Sequence, residues 1–356
     1  MSYGLVCPHL ENPADFPKPV FIRKGLYRDT PQLIYINVIG NLKKIVTQVK
    51  KRHHYVWRNY LRAWSDSKDL IPSLIKINNK IATTNLMNVA QKNFYYSLEE
   101  FTIEEEKNLK KIIINLSNED TEEIFKEYFN LFISYSKAKR ILNNNTNIPK
   151  EKKSEIEESL KLMKSNLMED FHSDFEKFGQ KLIEVKKVDD LEFLKENTSL
   201  MKTFLFLCFQ YVRTKKMRST FTKSFENHFN ILPKYFNILS FVLATGMANG
   251  LMHYKETKII FIENTSEIDF ITSDQPIINL KEHEKNEKGN VKSLEFFYPI
   301  NPKIAFKIHY NSGKKFEHLK ISENEVEEFN QIIFDKSEDF VFAKNTEQLK
   351  KYKNCL

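Results

Sequence analysis

A pair of histidines followed by two arginines is the densest group of chemically capable residues in the chain. Arg58 and Arg62 follow His54 at intervals of four residues, a spacing that places the three side chains on one face of a helix. A neutral imidazole can take up a proton, and a guanidinium can bind a planar anion through two hydrogen bonds. The stretch therefore predicts a general acid or base beside two anion ligands.

Aromatic residues alternate with these basic residues. Tyr55, Trp57, Tyr60 and Trp64 all lie in the same short stretch as His54. Aromatic rings of this kind stack on nucleotide bases. We therefore expect this segment to bind a substrate, with Tyr55 and Trp57 closest to the histidine.

A second polar group interrupts an apolar segment. Residues 203–212 are apolar at nearly every position and predict a buried helix, yet Gln210 lies within the segment and Arg213 follows it. An unpaired buried guanidinium is costly, so Arg213 either meets an internal carboxylate or faces an anion-binding cleft. We expect Arg213 to hold a phosphate group and Gln210 to position the substrate.

An acidic turn follows a short strand near residue 272. Asp274 lies in the sequence Thr-Ser-Asp-Gln-Pro, which ends at Pro276. Turns at strand ends often present catalytic carboxylates, but an aspartate also makes purely local hydrogen bonds there. Asp274 is therefore expected either to orient His54 or bind a metal, or to be structural.

Several familiar sites are missing from the sequence. The eight glycines form no phosphate-binding loop, no Gly-x-Ser-x-Gly motif occurs, and the three cysteines have no zinc-site spacing. ATPases, kinases and dinucleotide-binding folds are therefore excluded. The sequence requires no cofactor, and it leaves open whether a divalent metal takes part.

The positive charge is concentrated near the N-terminus. The first 64 residues hold eleven Lys and Arg against three Asp and Glu, while the rest of the chain is balanced, so this segment carries the net charge of +8. Such a local field attracts a phosphate-bearing partner. A general richness in Lys, Asn, Ile and Phe would give the same excess without a ligand. We expect nucleic acid or a nucleotide as the partner.

The spacing of apolar residues predicts an α+β fold. Five prolines in the first 31 residues indicate an N-terminal extension over residues 1–50, followed by a single domain over residues 51–356. Strands are predicted at residues 32–38, 71–76 and 80–85 and again after residue 255. A central helical block lies between them, so a mixed or antiparallel sheet is expected from the N-terminal and C-terminal thirds.

Part of the helical block is expected to protrude. Residues 103–198 form a helical insertion or arm in this prediction. Residues 150–187 are charged on most faces with only a thin apolar stripe. This pattern suits a protruding helical hairpin or a solvated arm that binds a partner protein better than it suits a core helix, and a plain surface helix accounts for it more simply still.

The chain shows no sign of membrane insertion or export. No apolar run reaches the roughly 18 residues that a membrane-spanning helix needs. The N-terminus lacks the charged-then-apolar order of a signal peptide, and three dispersed cysteines suggest no disulfide framework. We therefore expect a cytoplasmic protein with no membrane partner.

Taken in order, these motifs resemble a widespread, mainly bacterial family built on a domain of unknown function. The matching residues are His54-Tyr55-Val56, Tyr60-Leu61-Arg62, Asn93-Phe94-Tyr95, Gln210-Tyr211, Arg213-Thr214, Thr272-Ser273-Asp274, Pro276, Pro299, Pro302 and Asn330. The family has no assigned activity. The resemblance implies that His54, Gln210, Arg213 and Asp274 converge on one pocket.

The leading hypothesis is a phosphodiester-cleaving enzyme, an RNA-directed nuclease of the toxin or defence type. His54 would be the general acid or base, Arg213 with Arg62 would hold the phosphate, and Asp274 would orient His54 or bind a metal. The alternative is a noncatalytic subunit that senses a nucleotide or binds a partner protein. Nothing in the sequence identifies the substrate or the oligomeric state.

Overall fold

A computed structural model describes residues 48–225, 233–253, 257–287, 291–310 and 315–355. The strand predicted at residues 32–38 and nearly all of the predicted N-terminal extension lie outside these residues. The predicted fold class is confirmed: a central helical block stands between sheets from the N-terminal and C-terminal regions.

Helices occupy most of the middle of the chain. Those described by the structure are α1 (Arg58–Leu61), α2 (Ile103–Leu116), α3 (Glu122–Asn144), α4 (Lys150–Phe178), α5 (Gln180–Ile183), α6 (Asn197–Val212), α7 (Lys215–Phe225), α8 (Phe236–His253), α9 (Glu323–Lys336) and α10 (Thr346–Lys353). Short 3-10 helices lie at Arg62–Trp64, Lys76–Asn78, Leu86–Asn88, Val188–Lys195 and Pro233–Tyr235.

Strands lie at both ends of the described chain. They are β1 (Arg52–His54), β2 (Leu70–Ile75), β3 (Lys80–Asn85), β4 (Gln91–Asn93), β5 (Thr257–Asn264), β6 (Thr272–Ser273), β7 (Ile278–Asn279), β8 (Glu295–Asn301), β9 (Ile304–Tyr310), β10 (Phe316–Ile321) and β11 (Phe340–Phe342). The sequence predicted β2 and β3 closely but not β10 or the terminal helix α10.

The N-terminal and C-terminal thirds share one sheet. Its strand order is β3-β2-β11-β6, with every neighbouring pair antiparallel. A second sheet, of order β10-β5-β9-β8-β7, is built from the C-terminal third, and β10 runs parallel to β5. β1 and β4 form a separate antiparallel ribbon. The expected pairing of distant segments is therefore observed in the four-stranded sheet.

Local sequence explains where several helices begin. α2 starts with a capping box in which the Thr102 hydroxyl accepts from the Glu105 backbone N–H at 3.2 Å. The Glu105 carboxylate accepts in return from the Thr102 N–H at 2.8 Å. Ser322 and Glu325 repeat the arrangement at the start of α9. Each box satisfies two backbone donors that a helix start otherwise leaves unpaired.

The core of the helical block lies between α4, α6 and α8. Phe209 of α6 stacks on Phe175 of α4 with ring centroids 3.8 Å apart, and it meets Phe241 of α8 at 4.7 Å. The helix over Pro233–His253 is long and apolar enough to cross a bilayer, but 78% of its apolar window is buried inside the fold. Its apolar surface is therefore used by the core.

The expectation of a solvated arm is wrong for the second half of α4. Residues Ser165–Met168, Phe171, His172 and Phe175 are buried. Only the first half, up to about residue 164, is mostly exposed. Because the first half is so densely charged, the charge distribution over residues 150–187 as a whole did not reveal the apolar face of the second half.

One glycine marks a close approach between α4 and α6. A Cβ built on Gly179, which follows α4, would lie 2.5 Å from the ring of Phe206. No real side chain fits at that distance without movement of its neighbours. Glycine therefore lets the end of α4 lie against α6, where the site described below is formed.

Candidate active site

A buried arginine organises the polar residues of the helical block. Arg213 caps the C-terminus of α6, and its side chain is 3% exposed. Its Nη2 donates to Oε1 of Glu176 at 2.8 Å and to Oε1 of Gln210 at 2.7 Å. Of the two sequence-based alternatives for Arg213, the internal carboxylate is the one observed.

One face of α4 carries the partners of this arginine. Glu169, His172 and Glu176 follow one another at intervals of three and four residues, which aligns them along a single helix face. Glu176 makes the ion pair. The charge of Arg213 also shifts the pKa of Glu169 and of His172, so both lie within its field.

The N-terminal segment is held against these helices by backbone hydrogen bonds. Gln210 donates from Nε2 to the carbonyl of Tyr55 at 3.1 Å, and its Oε1 accepts from the N–H of Trp57 at 3.3 Å. Asn166 of α4 accepts from the N–H of Lys50 at 2.8 Å and donates to the carbonyl of Gln48 at 2.9 Å. These contacts fix the two ends of β1, where His54 is the last residue.

The two neighbouring histidines have different environments. His53 is fully buried; its Nδ1 accepts from the N–H of Tyr96 at 2.9 Å, and its Nε2 lies 3.0 Å from the carbonyl of Lys50. Both ring nitrogens are therefore used by the fold. His54 is 8% exposed, and its Nε2 has no hydrogen-bond partner among the described residues. His54 therefore keeps one ring nitrogen without a hydrogen bond, whereas His53 uses both.

Several buried polar atoms around Arg213 lack a partner within the described part of the protein. They are Nε of Arg213, Nε2 of His54, Oε2 of Glu169, Nδ1 of His172 and the hydroxyl of Tyr298. The pKa of each of the four neighbours is shifted by the Arg213 charge. Buried polar atoms are nearly always paired in proteins, so such a concentration calls for a functional explanation.

The electrostatic environment gives the two acid–base groups unusual properties. Burial, assisted by the charge of Arg58, lowers the pKa of His54 to about 4. Burial, assisted by the charge of Glu176, raises the pKa of Glu169 to about 7, although Arg213 and the His54 backbone N–H oppose the shift. At neutral pH the imidazole is therefore uncharged, and Glu169 is close to half protonated.

The ion pair between Arg213 and Glu176 gives the two carboxylates of α4 different properties. Burial raises the pKa of Glu176, and the direct contact with Arg213 partly offsets that rise. Arg213 itself stays charged: burial lowers its pKa, but Glu176, Tyr96 and Glu169 together more than offset this, so its pKa is raised. Glu169 and Glu176 share one cation, so the unpaired Glu169 is the one that exchanges a proton near neutral pH.

A basic patch of surface lies next to the site. The Glu176 side chain is 18% exposed, and Arg58 is exposed next to His54. Lys50, at the same edge, pairs with Asp170. The unpartnered atoms of His54 and Glu169 are themselves enclosed, so Arg58 is the group of this region that an anion in solvent meets.

Arg62 does not take part in this site. Its guanidinium is exposed and pairs with Asp69 at 3.2 Å, and it also donates to the side chain of Asn59 at 3.1 Å. The prediction that Arg62 and Arg213 together hold a phosphate is wrong for this reason. Arg58 is the exposed arginine that lies beside His54.

The predicted stacking platform is buried. Tyr55, Tyr60 and Trp64 are each no more than 2% exposed. Tyr60 donates its hydroxyl to the Pro299 carbonyl at 2.8 Å, and Trp64 donates Nε1 to the Phe270 carbonyl at 2.8 Å. These rings join the N-terminal segment to the sheets. Trp57 is half-buried, with its ring edge-on to Phe206, so none of the four has a free face like that expected.

Asp274 lies in a different set of contacts. Its two carboxylate oxygens accept from the backbone N–H groups of Glu338 at 2.9 Å and Asp339 at 2.7 Å. Its own N–H donates to the Phe340 carbonyl at 3.1 Å. Burial raises the pKa of Asp274 to about 6 despite these donors. The structure therefore uses Asp274 to tie β6 to the start of β11, and the residues tied are not those that surround His54.

The carboxylates of α4 were missed by sequence reasoning. Glu169, His172 and Glu176 lie in a helix that the charge pattern assigned to solvent. The available signal was their shared face together with the alternation of Met168, Phe171 and Phe175, which predicts burial of that half of the helix. Among the residues that the structure describes, no cluster of His, Cys, Asp and Glu is arranged to hold a metal ion.

A separate cavity lies on the other side of α6. It is lined by residues including Tyr211, Lys216, Gln275, Asn279 and Glu282. Lys216 donates from Nζ to the Lys336 carbonyl at 2.8 Å, and burial lowers its pKa. This cavity is lined by Gln275, the neighbour of Asp274, and not by the residues around His54.

Comparison with known proteins gives a family but no activity. A family model described as a protein of unknown function (DUF4238) matches residues 52–347, most of the chain. No curated protein and no solved structure matches the sequence. The site must therefore be interpreted from its own chemistry.

Proposed function

Because the chain belongs to the DUF4238 family of proteins of unknown function, we propose its function from the chemistry of its own residues. The proposed function is that of a phosphodiester-cleaving enzyme, an RNA-directed nuclease of the toxin or defence type. The observation that carries the proposal is the convergence of His54 and Glu169 beside the buried Arg213, each with an unpaired polar atom. Proton transfer by a positioned acid or base requires such a pair.

Glu169 is the proposed general base. A pKa of about 7 lets its ionised form accept a proton at neutral pH and return it within the same catalytic cycle. In RNA the proton comes from the 2′-hydroxyl, whose oxygen attacks the phosphorus as the bond to the 5′-oxygen breaks. Oε2 of Glu169, which has no partner among the described residues, is the atom that would receive it.

His54 is the proposed proton donor to the leaving 5′-oxygen. The pKa of His54 is low in the site with no anion bound. A bound phosphate raises the pKa of a neighbouring imidazole, because an opposite charge favours the protonated form. Substrate binding would therefore bring His54 into its protonated form, which Arg58 otherwise disfavours.

The two arginines have separate proposed roles. Arg58 is exposed beside His54 and would bind the scissile phosphate directly. Arg213 is enclosed by Glu176 and Gln210, so it acts as a positioning residue that fixes the carboxylates and the backbone of residues 55–57. Its charge, held in a buried environment, also lowers the free energy of an ionised Glu169.

The proposal is tested by incubating the full chain with total RNA and with plasmid DNA, with and without EDTA. The variants are Glu169→Gln and His54→Ala, and Glu158→Gln, which is exposed on the first half of the same helix, is the matched control. We expect the wild type and Glu158→Gln to cleave RNA and both site variants to lose at least about 100-fold in rate. No cleavage of either nucleic acid by the wild type would overturn the proposal.

A noncatalytic nucleotide sensor is the second candidate function, and the cavity beside Lys216 favours it. A lysine in the first turn of α7 and the amide groups of Gln275 and Asn279 line the same space. Such a set suits a small phosphorylated ligand. In this alternative the exposed first half of α4 would hold a partner protein. A rise in melting temperature with a mononucleotide, lost in Lys216→Gln and without turnover, would favour the sensor over the nuclease.

A further inference from the structure

An exposed aromatic ring stands next to the candidate active site in an unusual backbone conformation. Phe94 is 43% exposed and has φ of 55°, in the left-handed region that disfavours residues with a side chain. Its N–H donates to the Lys51 carbonyl at 2.8 Å, which holds it at the end of the β1–β4 ribbon. The fold therefore presents a large apolar ring to solvent at a position where glycine would be less strained.

Unpaired cations surround this ring. Lys51, Arg52, Arg58 and Lys92 are exposed, and none of them pairs with a carboxylate in the part of the chain that the structure describes. Lys50, at the edge of the same surface, differs from these four because it pairs with Asp170. The surface is therefore a cluster of four exposed cations on the segments next to an exposed aromatic ring.

The contacts between these residues make the surface continuous with the site. Arg52 lies opposite Asn93 in the ribbon and donates to the Asn88 side chain at 3.2 Å. Arg58 contacts the sulfur of Met87, which is 40% exposed. The ribbon ends at His54, so a ligand lying across it would lie next to the candidate active site.

We propose that this surface, made of Phe94 and the cations Lys51, Arg52, Arg58 and Lys92, binds single-stranded RNA beside the candidate active site. The inference rests on the proposed nuclease function and names its substrate class. Cations contact the phosphates, while an exposed ring stacks on an unpaired base. A duplex keeps its bases stacked internally, so Phe94 has no base to contact there, and the surface selects single strands.

Fluorescence anisotropy with a labelled single-stranded RNA and with its duplex tests the proposal. Measurements use the full chain in the cleavage-impaired Glu169→Gln background, at several salt concentrations. Phe94→Gly removes the ring and also relieves the backbone. Two controls at exposed positions, Ile103→Ala and Lys161→Gln, match the loss of an apolar and of a cationic side chain.

We expect Phe94→Gly to weaken single-strand binding about 5- to 100-fold, as loss of one stacked base does, and to change duplex binding less than about twofold. Phe94→Gly should have a melting temperature no lower than that of its parent. Arg52→Gln should reduce the salt dependence of RNA binding by an amount equal to about one phosphate contact. Equal binding of single strand and duplex, or unchanged single-strand binding by Phe94→Gly, would overturn the proposal.

The two experiments distinguish a wrong binding surface from a wrong nuclease function. If the wild type cleaves RNA while Phe94→Gly binds it normally, the binding surface is wrong and the nuclease function stands. If single strands bind through Phe94 but no variant of the chain cleaves RNA, the surface is supported and the nuclease proposal is wrong.

Discussion

Glu176 of α4 and Arg213 at the end of α6 form an ion pair of 2.8 Å in which the guanidinium is almost fully enclosed. The pair links the helix that carries Glu169 to the helix that holds residues 55–57 through Gln210. Removing either partner would leave a buried charge without compensation, which is far more costly than removing both.

The ion pair predicts a strong loss of stability on single substitution. We expect Arg213→Met to lower the free energy of unfolding by about 3–5 kcal/mol. The double variant with Glu176→Leu should lose less than the two single losses added together, because no uncompensated charge remains. Urea unfolding of the four proteins of this double-mutant cycle measures the coupling, and additive losses would contradict the arrangement.

Glu169 predicts a specific pH dependence of stability. Its pKa is about 7 in the folded chain against an ordinary value of 4.5, so the folded state holds the proton more tightly than the unfolded state. Its stabilising contribution is complete below about pH 4.5 and is lost as the pH rises toward 7.

Glu169→Gln removes this pH-dependent loss. The variant should be more stable than wild type at pH 8, by about 1–3 kcal/mol, and closer to it at pH 4.5. Melting curves of both proteins between pH 4 and 8 give the difference. A difference that does not change with pH would show that Glu169 titrates normally in the folded protein.

Asp274→Asn tests the structural role of the turn after β6. An amide has one acceptor oxygen where the carboxylate uses two, so one of the backbone N–H groups of residues 338 and 339 would lose its partner. We expect a loss of about 1–3 kcal/mol in the free energy of unfolding. Asp189→Asn, at a side chain that is 81% exposed, should be neutral. An unaffected Asp274→Asn would mean that these hydrogen bonds contribute little.

Gly179→Ala tests the close approach between α4 and α6. The added methyl would collide with the Phe206 ring, so we expect a loss of about 1–3 kcal/mol from overpacking. Gly246→Ala on α8 is the matched control, because nothing lies within 4 Å of its added Cβ. Equal effects of the two substitutions would contradict the packing described for α4.

The sequence predicted the parts of the fold that have strong local signals. The capping box at Thr102, the short strands at Leu70–Ile75 and Lys80–Asn85, and the nearly all-apolar second half of α6 were recognisable because each has a strong local pattern. The strand β10 was not recognisable: three of its six residues are charged or polar, and it forms by pairing with the distant β5.

The candidate site was predicted only in part, for a physical reason. His54, Gln210 and Arg213 stand out because polar residues in apolar segments are conspicuous. Glu169 and Glu176 do not, because a carboxylate in a highly charged helix looks solvated until tertiary packing buries it. Asp274 was as conspicuous as Arg213, but only the structure shows that its oxygens are occupied by backbone donors.

The pH dependence of RNA cleavage tests the central claim most directly. For wild type we predict that kcat/KM is nearly constant between about pH 4 and 7, the pKa values of His54 and Glu169, and falls above pH 7, because the productive form pairs a protonated His54 with an ionised Glu169; Glu169→Gln should lose the ionisation near pH 7 and at least about 100-fold in rate. Glu158→Gln should reproduce the wild-type profile. A wild type that cleaves no RNA, or a Glu169→Gln variant with the wild-type rate and profile, would contradict the account.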